Sequence, residues 1–160
     1  MDETAVKSML RLFPYGLYAI TIAHDGEEHA MTANWVAQAS SDPPMITVAV
    51  ENTSRTITMM RDARRFGINL FHEAQRDLAA KLARSSDAAA QKLKGVKTRP
   101  GPVAGAPILV DAIGWLECRL IATLPAGDHT IVLGQVVEAG IEHAESRPLT
   151  LQGAGFSYGG

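Results

Sequence analysis

Apolar and polar positions divide this chain into short segments with two periods. Val6, Met9, Leu10 and Phe13 recur at i, i+3, i+4 and i+7. That spacing predicts an amphipathic helix over the first dozen residues, ended by Pro14 and Gly16. Leu17 to Ala23 reads as a strand, and Asp25-Gly26 marks a hairpin turn. A second strand begins near Glu28 and runs towards Ala37. Asp42-Pro43-Pro44 then interrupts the ladder, because proline has no N–H to donate. Met45 to Val50 is apolar throughout and predicts a strand buried on both faces. Ser54 to Asp62 predicts a short helix capped by Thr53 or Ser54. Phe66 to Phe71 predicts a strand, and Glu73 to Ala83 a helix with Leu78 and Leu82 on one face. Ser85 to Ala106 contains Gly95, Pro100, Gly101, Pro102 and Gly105 and reads as a loop. At about 20 residues it exceeds most structureless connections and is a candidate lid. Two long strands follow, Ile113 to Leu124 and Thr130 to Ile141, with Pro125-Ala126-Gly127-Asp128 joining them. Many hairpin-connected strands with a few short helices imply an antiparallel barrel or sandwich rather than a parallel βαβ sheet.

Composition narrows the class. A length of 160 residues favours one domain over residues 1–160, and such a chain buries roughly 70% of its unfolded surface without staples. The net charge of −2 gives no general attraction to nucleic acid or to an anionic membrane. The apolar stretches fall far short of the roughly 20 residues a membrane span needs. The acidic Met-Asp-Glu-Thr start lacks a secretory pattern. Cys118 is the single cysteine, so no internal disulfide forms; in Trp-Leu-Glu-Cys-Arg-Leu it reads as a buried small hydrophobe. The expectation is a soluble cytoplasmic protein.

Several chemistries lack their motifs. No glycine-rich dinucleotide fingerprint or Walker A loop occurs, so a Rossmann nicotinamide site is not expected. No nucleophile elbow accompanies a hydrolase reading. The five histidines form no helical zinc pair. His24 and His29 flank the Asp25-Gly26 turn and are expected to be exposed hairpin residues rather than metal ligands.

What remains points to a flat ligand. Thr32, Ala33, Asn34, Gln38, Ala39 and Ser40 are small or polar, where main-chain groups can reach a planar polar ring, and Trp35 offers an aromatic wall. The alternative is an edge strand with outward polar residues. Asn52, Thr53, Ser54, Arg55 and Thr56 open a helix, whose free N–H groups and partial positive charge suit a phosphate. Ordinary capping with a solvated arginine is the simpler alternative. Arg61, Arg64 and Arg65 read as a solvated helix end. Gly127-Asp128-His129 presents an imidazole at a strand start, which on chemistry alone is a solvated turn histidine.

Taken in order, Pro14-Tyr15-Gly16-Leu17, Asp25-Gly26, Met31-Thr32-Ala33-Asn34, Ser41-Asp42-Pro43-Pro44, Phe66-Gly67-Ile68-Asn69-Leu70, Gly127-Asp128-His129 and Gly134-Gln135-Val136 resemble the flavin reductase-like family. The resemblance covers about Leu12 to Leu151. It implies a six-stranded antiparallel split β-barrel of Greek-key type, mainly β with short helices. It also implies a homodimer and an FMN, or sometimes FAD, near the subunit interface. The segment matching Thr32 to Ser40 would hold the ring and that matching Asn52 to Thr56 the phosphate. His129 matches the family histidine beside the flavin and the incoming nicotinamide. Two features depart from many reductases. Trp35 replaces a serine after the asparagine, and the Asn-Trp-Val-Ala-Gln variant resembles members that pass electrons to a protein. The family tyrosine near the end corresponds to Phe156 or Tyr158.

The resemblance thus implies hydride transfer from NADH or NADPH to FMN or FAD, with His129 orienting the nicotinamide and backbone N–H groups around Gln38 to Ser40 facing the reduced ring. A flavin-accepting monooxygenase is the expected partner. Two alternatives stand beside it. One is an FMN-binding electron carrier with a protein redox partner, the other a flavin-binding module without turnover.

Overall fold

The computed structural model describes residues 1–85 and 89–159. Helix α1 spans Glu3–Arg11 and is N-capped by Asp2, whose carboxylate accepts from Thr4 N and Ala5 N. Strands β1 (Tyr18–His24) and β2 (Glu27–Ala33) form a hairpin with Asp25 and Gly26 at φ 49° and 78°. These are the left-handed conformations that an Asp-Gly turn favours. β3 (Val36–Ser41) and β4 (Pro44–Glu51) follow, then α2 (Arg55–Ala63) and β5 (Arg65–Leu70). A 3₁₀ turn at Glu73–Gln75 leads into α3 (Arg76–Ala83). Next come α4 (Ala89–Lys92), β6 (Thr98–Pro100), β7 (Pro107–Leu109) and the long hairpin of β8 (Gly114–Ala126) and β9 (His129–Ile141).

The main sheet is antiparallel, in the order β2-β1-β5-β8-β9-β4-β3; β6 and β7 pair separately. It pairs seven strands where the sequence pattern counts six. The expected strand from Glu28 towards Ala37 breaks at Asn34-Trp35, and its halves, β2 and β3, lie at opposite edges of the sheet. That placement dictates curvature. Six strand spacings put the edges of a flat sheet about 29 Å apart, yet a two-residue link spans at most about 11 Å. The sheet therefore rolls until its edges meet at Asn34-Trp35, although no strand pairing closes it among the described residues.

The core has two parts. One collects Ile20, Ile22, Val48, Val50, Phe66 and Val132 of the sheet with Ile57, Met59 and Met60 of α2. The other packs Ala79 and Leu82 of α3 against Leu17, Ala19, Phe71 and Leu149. Within β4 only Val48 and Val50 are buried, so that strand has one core face, not the two expected. Helix α1 buries no residue: Met9 is 58% exposed and Leu10 42%, and Phe13 just beyond it is exposed too. The stretch expected as a 22-residue loop carries α4 and β6, with β7 starting at the residue after it, and its residues 86–88 lie outside the described residues. Cys118 is fully buried as expected, and burial, with the neighbouring Glu117 carboxylate, pushes its thiol up to about 12. His24 faces Glu27 across the hairpin. His29, expected at the surface, is 3% exposed, because its ring turns inward to Thr56.

Candidate functional site

A cleft of about 400 Å³ opens where the sheet edges meet. One wall is Met31 to Asn34 at the end of β2, another Ala49 and Glu51 of β4, a third Ala80 and Ala83 of α3. The C-terminal tail, through Leu151, Phe156, Ser157 and Tyr158, forms the fourth. Four alanines among these residues leave room beside the backbone, and a volume of this size suits a small-molecule site. Thr32 belongs to the wall but its hydroxyl is engaged, donating to Ala79 O at 2.7 Å and tying α3 to β2. Asn34 is 6% exposed, and its amide Nδ2 has no hydrogen-bond partner among the described residues. A buried donor left unpaired costs about 1–3 kcal/mol, which makes this atom, on the wall of the cleft, a candidate partner for a ligand acceptor.

A second cavity, of about 620 Å³, shares Met31, Glu51, Ser54 and Ala83 with the first. His29, Thr53, Arg55, Thr56 and Lys92 also line it. Ser54 caps α2: its Oγ accepts from Ile57 N at 3.4 Å and donates to Glu51 O at 2.8 Å. The Arg55 guanidinium pairs with Glu27, and the Thr56 hydroxyl is buried within 2.8 Å of His29 Nε2. Of the phosphate candidates, then, Ser54 and Arg55 border open space with cations nearby, while the Thr56 side chain turns to the core. Asn52 is occupied otherwise. Its Nδ2 donates to Gly127 O at 3.0 Å and its Oδ1 accepts from Thr130 at 2.7 Å, so it braces the turn before His129.

His129 opens β9 after a two-residue turn in which Gly127 has φ 66°. Its side chain is 9% exposed. Nδ1 lies 2.7 Å from Asp128 Oδ1 and Nε2 2.9 Å from the Tyr158 hydroxyl. The bond from His129 holds the Asp128 carboxyl below the usual carboxylate range. Trp35 packs on the imidazole at 4.6 Å between ring centroids and meets the Tyr158 ring edge-on at 5.3 Å. Burial, with Glu51 and Asp128 nearby, pushes the Tyr158 phenol up. Tyr158 thus links the cleft to the Trp35–His129 pair. Gln38, Ala39 and Ser40 lie elsewhere, on edge strand β3, where Gln38 and Ala39 are exposed and a bulge interrupts the pairing with β4. No strand covers the outer edge of β3 among the described residues. The alanines of α3 escaped the sequence reading, although Ala80 and Ala83 show a small-residue face at i, i+3.

No group of three or more His, Cys, Asp or Glu residues suited to a metal occurs among the described residues, and no helix is long and apolar enough to cross a membrane. The rolled antiparallel sheet thus brings a small-residue cleft, an unpaired amide and a tail-covered imidazole together in one concave site of small-molecule size.

The chain belongs to the flavin reductase like domain family, whose profile matches residues 9–160. It is similar to a flavin reductase (NADH) of Kitasatospora aureofaciens, 29% identical over 93% of this chain and 78% of that protein. It also resembles diflavin flavoprotein A 1 of Synechocystis sp., 36% identical over 81% of this chain but only 23% of that protein. Among solved structures, the Streptomyces globisporus NADH:FAD oxidoreductase SgcE6, in complex with NAD and FAD fragments, superposes with a TM-score of 0.86. It is 25% identical, covering 99% of this chain and 93% of that one.

Proposed function

We propose that this protein is an NAD(P)H-dependent flavin reductase, transferring hydride from a nicotinamide to FMN, with FAD as the other flavin it would accept. The observation that carries the reading is the unpaired, buried amide of Asn34 in a cleft walled by alanines, within a chain of this family. Thr32, Ala33 and Asn34 would hold the ring. Ser54, Arg55 and the N–H groups at the start of α2 would meet the phosphate in the adjoining cavity, with Asn52 and Thr56 supporting that loop from behind. The bound flavin supplies the redox chemistry, accepting hydride and passing electrons on. The chain supplies placement. Trp35 and Asp128 fix the His129 ring, and Asp128 keeps the proton at Nδ1, so Nε2, which meets the Tyr158 hydroxyl at the cleft's edge, is left as an acceptor.

Assembly as a homodimer belongs to the same proposal. The bare apolar face of α1 and the uncovered edge of β3 with Gln38, Ala39 and Ser40 support it, since both offer surface to a second copy. The proposal extends to a six-stranded split barrel of Greek-key type, and the short Asn34-Trp35 link, which lets β2 and β3 count as one bent strand, supports it. Reduced flavin would pass to a monooxygenase, and residence would be cytoplasmic, in keeping with the buried free thiol of Cys118. A second reading, a flavoprotein electron carrier, draws on Asn34-Trp35-Val36-Ala37-Gln38 and on the 36% identity to the diflavin flavoprotein. Anaerobic visible spectra separate the two. Bleaching of the flavin band by NADH supports the reductase. A band that NADH leaves and dithionite removes supports the carrier.

A further inference from the structure

We propose that Tyr158 is a positioning residue that gates His129: its hydroxyl occupies the free acceptor of the imidazole, and an incoming nicotinamide must displace it. The inference rests on the reductase reading above. A carboxylate only accepts, so the 2.7 Å contact with Asp128 places the imidazole proton on Nδ1. The neutral ring then offers a lone pair at Nε2, and the Tyr158 hydroxyl donates to it at 2.9 Å. The carboxamide of a reduced nicotinamide carries N–H donors of the same kind and competes for that lone pair. Trp35 packs against the ring, and the side chain is only 9% exposed. Tyr158 lines the cleft whereas His129 does not, so the path from the cleft to Nε2 runs through the tyrosine.

The tail is built to let go. As far as Phe156 it is anchored: Leu151 N donates to Tyr15 O at 2.9 Å, Phe156 N to Leu151 O at 3.1 Å, and Arg76 Nε to Ala154 O at 2.8 Å. The Arg76 guanidinium also sits 5.4 Å above the Phe156 ring. Beyond that point Ser157, Tyr158 and Gly159 make no backbone hydrogen bond among the described residues. The Tyr158 hydroxyl and the contact of the tail with Trp35 are what hold them, and Tyr158 remains 48% exposed. A segment with one side-chain bond and little burial opens at low cost.

Tyr158→Phe keeps the ring against Trp35 and removes only the donor. It also leaves Nε2 unsatisfied in the closed arrangement, which favours opening. The KM for NADH at saturating flavin should fall about fivefold, carried by KM rather than by kcat. In a His129→Ala background the same substitution should leave KM unchanged, which a general loosening of the tail would not do. An unchanged or raised KM in Tyr158→Phe, or an equal fall in both backgrounds, overturns the gate. A wild type that never oxidises NADH with either flavin sinks the reductase reading and the gate with it; a wild type that turns over with the KM unmoved by Tyr158→Phe sinks the gate alone.

Discussion

Replacing Asn34 by alanine separates a ligand-seeking side chain from a structural one. In the free protein the Asn34 amide is 6% exposed and its Nδ2 is unpaired. An unpaired buried donor carries a penalty of about 1–3 kcal/mol. Truncation removes that penalty along with some packing, so the free protein should lose little stability. A change of about 1 kcal/mol shifts the melting temperature of a domain this size by only about 2–4 °C. The bound state is different. A flavin acceptor that pairs with Nδ2 recovers the penalty only in the wild type, so Asn34→Ala should raise the flavin Kd by about 5- to 150-fold, the equivalent of 1–3 kcal/mol. Flavin fluorescence titration measures the affinity, and thermal unfolding without flavin measures the stability. A free-protein loss above about 2 kcal/mol with unchanged flavin affinity would refute the reasoning, for Nδ2 would then be serving the fold.

Three further outcomes follow from the same geometry. His129→Ala should raise the KM for NADH about two- to tenfold, the net of a lost contact and a freed tail, with the flavin Kd moving less; steady-state kinetics paired with flavin titration reads both. Burial, aided by the charges of Lys92 and Arg55, lowers His29 to about 4 from its ordinary 6.5. The unfolded chain therefore takes up the proton first, and stability held above pH 6.5 should fall by roughly 3 kcal/mol on acidification to pH 4. Denaturant unfolding should show this acid limb flattened in His29→Gln, and an identical slope in both proteins would contradict it. Met9→Glu places a charge on the exposed apolar face of α1. In sedimentation the proposed homodimer should shift towards monomer, and a dimer that persists in the variant would remove α1 from the interface.

The hairpins were legible because their turns need particular residues. Asp25-Gly26 sits at positive φ on both residues, and Gly127 supplies the positive φ that aims His129. The blocks of the family resemblance also have local causes. Asn69, fully buried, donates to Ala19 O and Pro107 O and accepts from Leu109 N, joining three segments. At Gly134 a Cβ would lie 2.5 Å from the Phe66 ring. The hidden features depend on distant partners. Nothing local at Asn34-Trp35 announces that one strand serves both edges of a sheet. The exposed face of α1 has the same spacing as a buried one, since period reports amphipathicity and not what covers it. His29 looked like a hairpin surface residue because its partner, Thr56, lies 27 positions on. Tyr158 reaches His129 from 29 positions away, with only an aromatic after Gly-Phe-Ser to signal it.

A structure determined with flavin bound tests the central claim most directly. The ring should lie in the cleft between Met31–Asn34, α3 and the tail, with a ring acceptor within hydrogen-bond reach of Asn34 Nδ2. A flavin seated elsewhere, with the cleft vacant and Asn34 still unpaired, would contradict it.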